Sequence, residues 1–344
     1  MQLRRSHPIL TLTVRGAIAI ALMSGVATSR AGDDAASGAR TTDQRAVRRT
    51  PDGVPDLQGI WTGGTLTPFE RPPHLAQKSV LTPEEIAEQQ RQLTEKFWAA
   101  GHVAGEVGRD NDAFLDQDLA VLPTGQTSLV VEPSDGVVPV RPEAERRRNL
   151  NLAGVDTYET MSQWDRCITR NPTSLFPVVY NNAYQIVQTP THIVIIAEMI
   201  HDARVIPLNG GPHLDSRIRS WSGDSRGRWE GDTLVVDTTN FNGRGWIATG
   251  QNAGRLRGVP FTEDLHITER FRPIDAQTLQ YEITIDDPQI YAAPWKLAFP
   301  LGRDDAYQMF EYACHEGNQA VELVLRGARV QERAAEVSQR PGAR

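Results

Sequence analysis

From about residue 180 the chain breaks into short β-branched and aromatic runs separated by turn signals. No segment of helical period lies between them. The runs are Tyr184 to Gln188, His192 to Met199, and Ala203 to Leu208, which ends at Asn209-Gly210-Gly211. Gly227 to Trp229 and Thr233 to Thr238 flank Glu230-Gly231-Asp232, and Leu265 to Phe271 and Thr278 to Ile285 flank Asp275-Ala276-Gln277. Trp295 to Leu301 and Gln308 to Cys314 flank Gly302-Arg303-Asp304-Asp305. Parallel neighbours need crossover connections of about a dozen residues or more, and hairpins do not. With the segment around Trp61, the pattern predicts a mainly β protein of roughly nine or ten antiparallel strands. A sheet of that size must hide two edges, which closure into a barrel or strong curling achieves.

The first half reads differently. Residues 32 to 54 have no hydrophobic period and read as a flexible leader, and residues 55 to 165 read as a segment wrapped on the later strands. Within it a helix is predicted from Thr82, with Thr82 as N-cap, Pro83 in the first turn and Glu84 and Glu85 at the positive end of the dipole, closing at Gly101. A turn is predicted at Pro133-Ser134-Asp135-Gly136 and a short charged helix from Pro142 to Asn149. Residues 166 to 336 form the expected barrel domain, with a helix over Gln319 to Glu336 and a tail over 337 to 344.

The N-terminus has the form of a signal peptide. Arg4, Arg5 and Arg15 precede an apolar run, Gly16 to Ala27, too short to span a bilayer comfortably, and Ser29-Arg30-Ala31 offers a cleavage site. Cleavage after residue 31 removes four arginines and no acid, so the remaining chain is more acidic than the net −7 of the full sequence. The expectation is a periplasmic or secreted protein that binds neither nucleic acid nor, once cleaved, a membrane. Export gives meaning to the 2 cysteines. An oxidising compartment permits a Cys167–Cys314 disulfide; the alternative is two separate buried thiols.

Six strings resemble an uncharacterised family of exported bacterial proteins: Pro55 to Trp61 (PDLQGIW), Tyr180 to Pro190, Glu198 to Pro207, Gly223 to Phe241 (GDSRGRWEGDTLVV within it), Glu311 to Asn318 (EYACHEGN) and Leu325 to Arg329. The resemblance covers most of residues 51 to 330 and brings no established activity. More loosely, Gly59-x-Trp61 with Arg326 or Arg329 is similar to the calycin or lipocalin pattern, in which a first-strand Trp lies near a late Arg. That likeness implies a calycin-like barrel.

The densest polar cluster is Glu198, His201, Asp202 and Arg204, followed by His213 and Asp215. On a strand from His192 to Met199, Glu198 interrupts the apolar row of Val194 and Ile196, and inside a core it would need a cation, for which Arg204 on the next strand is the natural candidate. One reading is a structural ion pair across a hairpin. The other is catalytic: Glu198 or Asp202 orients His201, which exchanges a proton near neutral pH, while Arg204 binds substrate charge. His213, and His315 with Glu316 at the end of the Gln308–Cys314 run, are further substrate-binding candidates. His266 and Glu269, three apart on one strand, face opposite ways. A divalent metal held by His201, His213 and Glu198 or Asp215 is chemically acceptable but lacks a ligand motif. No phosphate loop, dinucleotide fingerprint, haem motif or nucleophile elbow is present, so no cofactor is expected. The function expected is binding of a small organic molecule with cofactor-independent acid-base chemistry of lyase, isomerase or hydratase type. A non-catalytic envelope module binding a glycan or protein and a metal-dependent hydrolase are the alternatives.

Overall fold

Leu279, Tyr281, Ile283 and Ile285 are buried while Thr278, Gln280, Glu282 and Thr284 are half-buried, a strict period of two over one strand. The same alternation recurs along the later half and builds one antiparallel sheet in the computed structural model, which describes residues 46–99, 116, 119–154 and 156–339. The predicted signal peptide and most of the leader lie outside the described residues.

The strands are β1 (Gly59–Thr62), β2 (Val130–Glu132), β3 (Ala183–Gln188), β4 (His192–Ala197), β5 (Ala203–Pro207), β6 (Asp224–Glu230), β7 (Thr233–Thr239), β8 (His266–Pro273), β9 (Thr278–Asp286) and β10 (Trp295–Arg303). Their order is β5-β4-β3-β1-β10-β9-β8-β7-β6, with β2 paired to β10, and the sheet curls into a nearly closed barrel. β1 lies between β3 and β10, so a short strand from the first half bridges two hairpin sets of the second. At the open seam β5 faces β6 through side chains. A Cβ at Gly227 would stand 2.7 Å from a Leu208 methyl and 2.9 Å from an Ile206 methyl, so any larger residue would push these side chains aside.

Three aromatic rings cross the interior in register, Phe271 on Tyr281 at 4.9 Å and Tyr281 on Phe299 at 5.3 Å between centroids. Beside them lies a buried ion pair. The Arg204 guanidinium, on a residue 5% exposed, donates to both oxygens of Glu269, which is 0% exposed, at 3.0 and 2.5 Å. Arg204 also donates to the Thr173 carbonyl and Ser225 hydroxyl, and Tyr281 donates to Glu269 at 2.8 Å. Arg204 thus pairs with Glu269 across the barrel rather than with Glu198 across its own hairpin.

Helix α1 (Pro83–Ala99) begins as predicted: the Thr82 hydroxyl accepts from the Glu85 amide, and the Glu85 carboxylate accepts from the Thr82 amide. Gly101, its predicted stop, lies outside the described residues. Helix α2 (Pro142–Ala153) runs four residues past its predicted end, and α3 (Ala320–Gln339) occupies the C-terminal segment. Part of the expected leader is held. Arg49 bridges to Pro55 and pairs with Asp232 at 2.7 Å.

Two expectations are corrected. Residues 308 to 314 form no strand, because the segment's amides are taken elsewhere: Phe310 donates to Glu198 at 2.8 Å and Cys314 to the Tyr312 carbonyl at 2.8 Å. The arginine over Trp61 is Arg303 of the neighbouring β10, 5.3 Å from the ring, while Arg326 and Arg329 lie on α3 and pair with Glu322 and Glu332.

Candidate functional site

The β4–β5 connection is tight and strained. Ala197 donates to the Asp202 carbonyl at 2.8 Å, and between them Ile200 and His201 adopt left-handed φ of 64° and 46°. A β-branched residue there is costly and persists only where surrounding contacts hold it. The turn ends β4 at Ala197, so Glu198 is freed from the strand parity that would have placed it beside Val194 and Ile196 on the outer face. It is 1% exposed and accepts from the Tyr307 hydroxyl at 2.9 and 3.0 Å and from the Phe310 amide. Burial, and then the bond to Glu198, holds the Tyr307 phenol protonated well above its ordinary range.

His201 is exposed, and its Nδ1 lies 2.9 Å from the Tyr312 carbonyl. Among the described residues it has no hydrogen bond to a carboxylate. Asp202 accepts from Thr169 and Ser174, each at 3.0 Å. The predicted catalytic trio is therefore adjacent in the chain but tied to three different segments. Those segments converge at one end of the barrel, where the Cys167–Cys314 disulfide joins the stretch before β3 to the stretch after β10. His315 and Glu316 are exposed in the turn that follows.

Other groups gather at this end, among them Tyr180, Asn181 and Asn182. Asp116 accepts from Asn182 at 2.7 Å and from the Asn181 amide at 3.2 Å; burial raises its pKa despite these bonds, and the negative charge of Glu198 adds to the effect. Tyr180 and Tyr312 stack at 6.3 Å, with Trp164 at 6.5 Å from Tyr180, making a half-buried aromatic wall. Behind it lies Arg170, 5% exposed, whose guanidinium burial pushes down to about 10. It has no hydrogen-bond or ion-pair partner among the described residues.

His213 belongs to a second cluster on the outer face. Its Nδ1 lies 2.9 Å from Asp224 and its Nε2 2.8 Å from Asp237, whose other oxygen lies 2.6 Å from His266. Strand parity explains the meeting: Asp224, Asp237 and His266 occupy outward positions on β6, β7 and β8, while Glu269 points inward. Among the described residues no three or more His, Cys, Asp or Glu side chains converge in a metal-holding arrangement. No family model, curated protein or solved structure matches the chain.

The outer cluster makes stability depend on pH with a definite sign. The hydrogen bond it donates to Asp237 raises His266 above 6.5, and the bond accepted from His266, followed by that with His213, holds Asp237 at about 2. The His266 contribution is complete below its unfolded value, about 6.5, and disappears as pH rises through its folded one. The Asp237 contribution is complete above its unfolded value and disappears as pH falls toward about 2. Asp237→Asn is expected to return the His266 titration, followed by NMR, to its ordinary range and to flatten the difference in thermal midpoint between pH 5 and pH 8. An unmoved His266 titration would contradict the pairing.

Proposed function

We propose that the protein binds a small organic molecule at the end of the barrel formed by Glu198, Tyr307, Asp116, Tyr180 and Tyr312, and can move a proton on it. The reading is carried by one observation, a buried carboxylate held by a phenol that burial keeps protonated, close to a second carboxylate and beside an aromatic wall. Ionisable groups displaced from their ordinary pKa at an accessible end of a scaffold are characteristic of sites that bind or transform ligands. In this arrangement Glu198 is the base that takes a proton from the ligand, and Tyr307 holds and orients that carboxylate by donating a hydrogen bond to it. His201, fixed through Nδ1 by the Tyr312 carbonyl, offers Nε2 to solvent or ligand. Elimination, isomerisation or hydration next to a carbonyl needs such a set and no cofactor. The disulfide supports export to an oxidising compartment, and among the described residues no helix is long and apolar enough to cross a membrane.

A thermal-shift and turnover screen against phenolics, glycosides and organic acids tests this reading, with Glu198→Gln, Tyr307→Phe and His201→Ala in parallel. A ligand of the wild type is expected to lose turnover by about two to four orders of magnitude in the Glu198 variant and by less in the Tyr307 variant, which loses only the group that orients the base. Full binding and turnover in all three variants would move the site elsewhere.

A further inference from the structure

The chain buries two arginines to the same degree and treats them oppositely. Arg204 and Arg170 are each 5% exposed. Arg204 has a carboxylate, a carbonyl and a hydroxyl around it. Arg170 has none of these among the described residues. Its ionisable neighbours are the phenols of Tyr184, Tyr180 and Tyr312, and one of its terminal nitrogens would lie 3.3 Å from a Cβ at Gly250. The Tyr184 hydroxyl, on a residue 2% exposed, likewise lacks a hydrogen-bond partner among the described residues. An uncompensated buried cation costs several kcal/mol, which natural cores avoid by pairing it. The described parts of the protein do not supply the pairing atoms.

We propose that Arg170 is the receptor for the carboxylate of a small planar organic anion, whose body lies against Tyr180 and Tyr312. This rests on the reading that this end of the barrel binds a small molecule and specifies its charge. A carboxylate matches the two-pronged guanidinium edge, and the Tyr184 hydroxyl adds a third donor. The stacked Tyr180 and Tyr312 rings, 28° from parallel, favour an unsaturated or aromatic body over a bulky saturated one. The near closure around Arg170 suits a carboxylate directly attached to such a body. An anion bound there would stand at the same end of the barrel as the Glu198–Tyr307 pair.

The test uses the full chain and two matched pairs of probes, benzoate with benzamide and 4-hydroxycinnamate with its amide. Binding is followed by tryptophan fluorescence and by thermal midpoint. At least one acid is expected to bind the wild type on the order of a hundredfold more tightly than its amide. Arg170→Met should erase that preference while leaving the unliganded midpoint unchanged or higher, because it removes an unpaired buried charge. Arg170→Lys keeps the charge without the fork and should retain only a weakened preference, which provides a reading if the Met variant does not fold. Equal binding of acids and amides by the wild type would overturn the proposal and leave small-molecule binding standing. Absence of binding by all four probes would overturn both. An unliganded midpoint several degrees lower in Arg170→Met, with the acid preference intact, would assign Arg170 a structural role instead.

Discussion

Glu269→Leu is expected to destabilise the protein by about 3–5 kcal/mol, a loss large enough to threaten folding of a typical domain. The substitution leaves the Arg204 guanidinium inside the barrel without its counter-charge and strips the Tyr281 hydroxyl of its acceptor. The remaining partners, the Thr173 carbonyl and Ser225 hydroxyl, are neutral. Combining it with Arg204→Met should recover most of the loss, since a buried ion pair replaced by apolar groups of similar volume is often close to neutral. Urea unfolding would read both effects as shifts in midpoint at unchanged slope. A Glu269→Leu protein within about 1 kcal/mol of wild type would show that the pair is not a structural tie.

The second large effect concerns the disulfide. Cys167 and Cys314 are 147 residues apart, so the bridge closes a loop that spans β3 through β10. Replacing both by Ser is expected to cost on the order of 4–5 kcal/mol on the chain-entropy argument. It should also weaken ligand binding, because Cys314 anchors the segment that carries Tyr312, whose carbonyl holds His201 and whose ring stacks on Tyr180. Unfolding measured with and without reductant checks the first effect, and the probe titrations check the second. An unfolding midpoint indifferent to reduction, with thiol release confirmed, would rule out the stabilising role.

The strands that the sequence announces are those whose burial alternates by itself: β9, with Leu279, Tyr281, Ile283 and Ile285 inward, needs no partner to be recognised. Residues 308 to 314 carry similar aromatic content but form no strand, because composition does not reveal that the Phe310 amide is claimed by a carboxylate more than a hundred residues away. Pairings across the barrel are hidden for the same reason. Strand parity sets Glu269 on the face opposite His266, yet it does not reveal that the partner, Arg204, lies three strands earlier in the chain. The Asp237–His266 contact is half legible: outward parity puts each on the solvent face of its strand, but the long connection between β7 and β8 leaves the register that brings them together to the fold. Arg170 offers no signal, because what distinguishes it is the lack of a counter-charge or hydrogen-bond acceptor among the described residues, a property that exists only once the chain has folded.

The ladder runs unbroken from β5 round to β6 and does not close the last gap. A fully hydrogen-bonded cylinder resists widening equally in every direction; this one has a clasp, fastened by Arg204 reaching Ser225 and Glu269 and by Ile206 and Leu208 seated against Gly227. Parting the clasp breaks no ladder between strands, so the sheet can spread there while every strand keeps its neighbour. The side chains that unfasten it are the ones that balance charge in the core, which ties the girth of the barrel to the electrostatics of its interior.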